Sequence, residues 1–223
     1  MEQFGAGRRT CLGKNIAILD TDIANGRPVR EVSVNNNNPQ TPRIGSFDAL
    51  DYFGNSSFYL LNGPGHSAGH ICCLARVTPS TSTSPSTFIF VFMGGDACHH
   101  PSVLRPTKHL PCPGHTCQSL ISKWQGESGS EAIFTVSPSL TTDYTAVLRT
   151  SESIKDLDTA EEVFVVLAHD AMLCGRVKFY PERINAWNGG CLWRIWRMQW
   201  MVRRIVRLVA GDLPGTYTVR WIF

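Results

Sequence analysis

Three residues able to bind a divalent metal each follow an apolar, strand-like run. These are His66 after residues 58–61, Asp96 after 88–93 and His169 after 163–168. Imidazole nitrogen and carboxylate oxygen are the donors a hydrolytic zinc ion takes, and glycines ahead of His66 and Asp96 let the backbone turn closely around an ion. The chemistry so indicated is metal-assisted hydrolysis, in which a metal-activated water attacks and no side chain forms a covalent intermediate. Taken singly, Gly-His and Gly-Asp pairs are also ordinary turn residues. Cys112 and Cys117, with His115 between them, resemble half of a zinc clip, and no second half follows at a usual spacing.

The elements that must carry these residues are short. Residues 28–34 alternate polar and apolar side chains as a half-buried strand does, and 35–42 form a polar turn or loop. Apolar runs at 44–53, 58–61, 71–77 and 88–93, punctuated by Gly, Asn, Pro and Ser, read as successive strands. The insert 78–87 contains only Thr, Ser and Pro and is expected to be a mobile hairpin tip. Further on, 118–124 is a possible short helix and 132–136 a possible strand. The acidic stretch 156–162 reads as a helix feeding a central strand at 163–168, an apolar run of the kind buried on both faces. Strands mixed with helices, without internal repeats, predict an α/β or α+β layered domain.

At 223 residues, 43% hydrophobic and 17% charged, the chain has the size and composition of one globular domain with a long appendage. No apolar run reaches the roughly 18 residues of a membrane span, and the N-terminus lacks the pattern of a secretory signal, so a cytoplasmic location is expected. The eight cysteines, Cys11, Cys72, Cys73, Cys98, Cys112, Cys117, Cys174 and Cys191, are then expected as thiols, with Cys72 and Cys73 as packing residues in a strand. The net charge of +3 is uneven: residues 190–223 hold six arginines against one aspartate.

The segment from Asp51 to His70, ending Pro64-Gly65-His66-Ser67-Ala68-Gly69-His70, resembles the metallo-β-lactamase superfamily, in particular its fungal lactonase-like members. Phe92-Met93-Gly94-Gly95-Asp96-Ala97-Cys98-His99-His100 and Val165-Val166-Leu167-Ala168-His169-Asp170 are similar to that family's later motifs. The resemblance covers residues 18–190 and implies an αββα sandwich with two metal ions at one edge. It further implies hydrolysis of small ester-like, thioester or lactone substrates. Carried over position by position, His66 matches a ligand of the first metal, Asp96 the bridging carboxylate and His169 a ligand of the second. His70 matches a supporting histidine, and His99 and His100 are read as supporting or packing residues and the nearest substitute ligands.

The family's His-x-His-x-Asp-His string, which supplies two ligands to each metal, occurs nowhere in these residues. The resemblance therefore implies an incomplete sandwich lacking its N-terminal portion. Two protein ligands per ion fall short of the three usual for catalytic zinc. One or two weakly or partially bound zinc ions, and weak or absent hydrolase activity, are the expectation.

Residues 1–17 contain Phe4-Gly5-Ala6-Gly7-Arg8-Arg9-Thr10-Cys11-Leu12-Gly13, which is similar to the cysteine-ligand loop of haem-thiolate cytochrome monooxygenases. In that family Cys11 would be the axial thiolate and Arg9 would meet a haem propionate. With three residues before the motif, no haem pocket is expected, and the loop is read as a remnant. The tail 191–223 includes an aromatic and basic stretch, 192–209, in which Arg194, Arg197, Arg204 and Arg207 share a helical face. Such a helix offers a membrane-surface or protein contact, or packs with its arginine heads in water. The expected partner is a small molecule, with no nucleic acid. The rival classes are a haem-binding monooxygenase fragment and a noncatalytic interaction protein.

Overall fold

The computed structural model describes residues 32–34, 41–78, 88–111, 132, 134–170, 173, 177, 181–185 and 187. The loop 1–17, the tail 191–223, the tip 79–87, the 118–124 helix and the Cys112/Cys117 pair lie outside the described residues. The chain divides into two compact units, one drawing on Met1–His100 and Val136–Asp170, the other on Pro101–Thr135 and Ala171–Phe223.

The first unit is built on a six-stranded mixed sheet, an α+β arrangement. Its strands are β1 (Arg43–Ile44), β2 (Phe47–Asp51), β3 (Phe58–Asn62), β4 (Ile71–Arg76), β5 (Phe90–Met93) and β6 (Val163–Val166), adjacent in that order. β1 to β5 pair antiparallel, whereas β5 and β6 pair parallel. The apolar run expected at 44–53 breaks at Gly45 (φ +56°) into the β1–β2 hairpin, where Ile44 faces Phe47.

Period-two alternation decides the inner face. Cys72 and Leu74 on β4 are buried, and they lie opposite Leu61 on β3 and Phe92 on β5. Leu61 in turn faces Ala49, and Phe92 faces Val165. Phe47 packs its ring 5.8 Å from that of Phe92, which closes this layer. Burial pushes the Cys72 thiol up to about 12, so it is a protonated packing group as the strand pattern predicts.

The helix α1 (Tyr144–Thr159) precedes β6. Asp143 caps it by accepting from the Ala146 amide at 2.9 Å. Ala146, Val147, Thr150, Ser151, Ile154, Leu157 and Asp158 form its buried face, at the three- and four-residue spacing of a helix. The sequence shows only the acidic end of this helix, because Thr150, Ser151 and Asp158 interrupt the apolar stripe.

Three other expectations are corrected. Val32–Val34, the described part of the 28–34 segment, forms no strand. Nor do Ala132 and 134–136: Phe134 donates its amide to the Ser102 carbonyl at 3.1 Å instead of joining a ladder. The strand beginning at Val163 is not central among the described residues; it ends the strand order and pairs with β5. In the second unit, Val103 and Leu104, at and just after the 3-10 turn Pro101–Val103, are buried, as is Leu173. Among the described residues, no helix is long and apolar enough to cross a membrane.

Candidate metal centre

Strand direction brings the candidate ligands together. Two antiparallel steps, β3 to β4 and β4 to β5, make β3 and β5 run the same way, and the parallel β5–β6 pairing adds a third strand in that direction. Asn62, Met93 and Val166 thus end at one sheet edge, and the loops that leave them carry His66, Asp96 and His169.

Backbone hydrogen bonds fix each loop. The Gly65 carbonyl accepts from the Thr142 and Asp143 amides at 2.9 and 3.0 Å, and the Pro64 carbonyl accepts from Thr150 Oγ1 at 2.8 Å. The His66 loop is therefore clamped to the start of α1. Gly65 sits at φ +120°, and a Cβ there would lie 2.2 Å from the Val147 amide nitrogen. The Asp96 loop is held from β6: the Gly94 amide donates to Val166 at 2.8 Å, and the Ala168 amide donates to Gly95 at 3.1 Å.

His70 links these loops. The Asp96 amide donates to its Nε2 at 3.1 Å, which leaves the proton on Nδ1 to be donated to the Gly63 carbonyl at 3.0 Å. Burial is the main cause that lowers the His70 pKa, which keeps the imidazole in this neutral tautomer. His70→Ala is expected to leave the Asp96 amide and the Gly63 carbonyl without this partner. Metal affinity should then fall roughly ten- to hundredfold, as for other supporting residues. Zinc titration calorimetry checks it, and an affinity within twofold of the parent would show that His70 does not position Asp96.

At the centre, Asp96 Oδ1 lies 2.5 Å from His169 Nε2, while Oδ2 lies 3.9 Å from His66 Nε2. Oδ1 is buried and accepts no hydrogen bond among the described residues, and its approach to Nε2 is shorter than an ordinary N–H···O bond. The His99 ring is 5.1 Å from those of both His66 and His169. Burial first, then the neighbouring His66 and His169, lowers the His99 pKa to about 4, so it is a neutral donor near pH 7. A carboxylate beside imidazoles fits a divalent cation.

The structure gathers His66, His70, Asp96, His99 and His169. The His100 carbonyl accepts from Cys98 Sγ at 3.3 Å. Cys98 is buried, and its thiol is pushed up to about 12, mainly by that burial, which disfavours a thiolate ligand. Cys11 and Arg9 lie outside the described residues. Sequence reasoning missed Thr142 and Thr150, which hold the His66 loop; nothing local to a threonine signals such a clamp.

The fold is an α+β domain whose strand ends gather residues that could hold a metal ion. Comparison with known proteins places it more closely. Over 187 residues the chain is 40% identical to "Metallo-hydrolase mfmC" of Annulohypoxylon moriforme, covering 77% of this chain and 45% of that protein. It is 34% identical over 160 residues to "Gamma-lactamase FDB1" of Fusarium pseudograminearum, covering 65% and 37%. It is also 59% identical over 173 residues to "Cytochrome P450 monooxygenase mpaDE'" of Penicillium brevicompactum, covering 76% of this chain and 18% of that protein. The metallo-hydrolase and gamma-lactamase names agree with the metallo-β-lactamase resemblance carried by the motifs. A match of 173 residues reaches far beyond the haem-thiolate-like loop, so the similarity to the cytochrome-named relative is not confined to that loop. The chain spans less than half the length of each of these relatives. No family model and no solved structure matches it.

Proposed function

We propose that this chain is the metal-binding part of a metallo-β-lactamase-type hydrolase that opens a small lactone, lactam or ester-like substrate. The carrying observation is the delivery of His66, Asp96 and His169 to one point by three strands of common direction. Relatives named metallo-hydrolase and gamma-lactamase support the reaction class and bring a cyclic amide into the substrate range. Zinc is the proposed ion, because it takes nitrogen and oxygen donors in closed or open four-coordinate sites. The mixed sheet and α1 are proposed to form part of an αββα sandwich.

When bound, the ion supplies Lewis acidity and a water acidic enough to serve as nucleophile near neutral pH. The protein's own residues do the positioning. Asp96 turns one oxygen to His169 and the other to His66, so a single carboxylate ties two loops at the centre. His70 holds the Asp96 backbone, and α1 holds the His66 loop through Gly65 and Pro64.

The test is a panel of γ-lactams, lactones and thioesters offered to the zinc-loaded chain. Turnover is expected to be slow, removed by a chelator and restored by zinc. Stoichiometric zinc without turnover of any substrate, or turnover indifferent to the chelator, would sink the proposal. A second reading, haem ligation by Cys11, draws on the Phe-Gly-x-Gly-x-Arg-x-Cys-x-Gly match and on the printed name of the cytochrome relative. A thiolate-type Soret band after haem reconstitution, lost in Cys11→Ser, is its signature.

A further inference from the structure

We infer that His99 is a direct metal ligand, and that Asp96, His99 and His169 hold a single ion. This rests on the metal-hydrolase reading and assigns a ligand that the family resemblance does not. The ligand atoms of these three residues all lie within 4.8 Å of one another. Donors about 2.1 Å from a tetrahedral ion are about 3.4 Å apart, so the widest pair would close by about 1.4 Å while Asp96 Oδ1 and His169 Nε2, 2.5 Å apart, would open by about 0.9 Å, the scale of modest side-chain rotations.

Two further observations favour His99. Its ring stacks on that of His169, with 10° between planes and 5.1 Å between centroids. It also follows Asp96 by three residues, just after the turn that the Ala97 amide closes onto Gly94 at 3.1 Å. Ligands this close in sequence are brought together at little loop-closure cost. His66 approaches the opposite oxygen, Oδ2, at 3.9 Å, which makes it the outer donor of the group. His99 raises the protein ligands on one ion from two to three, the number that catalytic zinc sites keep while leaving a position open.

Cobalt(II) and zinc titrations of the full 223-residue chain test this by calorimetry and absorption, with no reliance on turnover. One ion per chain is expected, with affinity at least a hundredfold weaker in His99→Ala and less affected in His66→Ala. Because His99→Ala could disturb the fold, His99→Cys provides a positive signal. A thiolate-to-cobalt band in the near ultraviolet, absent from the parent, is expected if position 99 reaches the ion. Metal binding that survives His99→Ala, with no such band in His99→Cys, overturns the inference and leaves the hydrolase reading standing. So does a stoichiometry of two, or a larger loss in His66→Ala than in His99→Ala. A chain that binds no metal overturns both.

Discussion

Asp96→Asn is expected to weaken zinc binding by more than about a hundredfold, beyond the loss typical of residues that merely support a ligand. The carboxylate directs one oxygen at His169 and the other at His66, and these are separate demands on one group. An amide carries no charge and replaces one oxygen with a hydrogen-bond donor, so it can meet at most one of them. The fold should tolerate the change, since the contact between the Asp96 amide and His70 belongs to the backbone and is unaltered. Calorimetric zinc titration beside a thermal melt separates the outcomes. Affinity within tenfold of the parent would show that Asp96 is not a ligand, while a collapsed melting transition would show that it serves the fold instead.

The largest stability effect is expected at Gly65, which lies far from any obvious core in the sequence. Gly65→Ala meets two obstacles at once: φ +120° is a conformation that side chains avoid, and the new methyl would sit 2.2 Å from the Val147 nitrogen and 2.5 Å from its Cα. Helix backbone cannot rotate aside as a side chain can. Strain and overpacking, at about 1–3 kcal/mol each, should together destabilise the chain by about 3 kcal/mol or more. The His66 loop would shift away from α1, so metal binding should suffer as well. Gly54→Ala is the comparison, because Gly54 also has a positive φ, +69°, but a methyl carbon there would meet nothing within 4 Å. It should lose only about 1 kcal/mol, from backbone strain alone. Urea denaturation of both variants measures the contrast, and similar midpoints would show that the Gly65 loop does not pack on α1 as described.

How the site is legible in the sequence follows from what a local pattern can register. The runs ending at Asn62, Met93 and Val166 are visible as short apolar stretches, and Gly-containing turns follow the first two where the ladder stops. His66, Asp96 and His169 draw attention because each stands just past such an end, and Cys72 reads correctly as packing. The resemblance to metal-dependent hydrolases is carried by these same turns, and homology supports it.

Other features could be decided only in three dimensions. An apolar run does not state its direction or its neighbour, so the parallel β5–β6 pairing, which sends the third loop to the same edge, is invisible until the strands meet. The position of β6 at the end of the strand order is hidden for the same reason: Val163, Phe164 and Val165 are buried by packing that an inner strand would also provide. The start of α1 escapes notice because Thr150 spends its hydroxyl on the Pro64 carbonyl of a distant loop. His99 looks like a neighbour of Asp96 in a turn, and only the fold sets its ring against His169. Sequence alone determined which residues end strands and what chemistry their side chains allow. Tertiary structure decided which of them meet, because strand direction and the approach of separate loops depend on contacts between segments that no local pattern encodes.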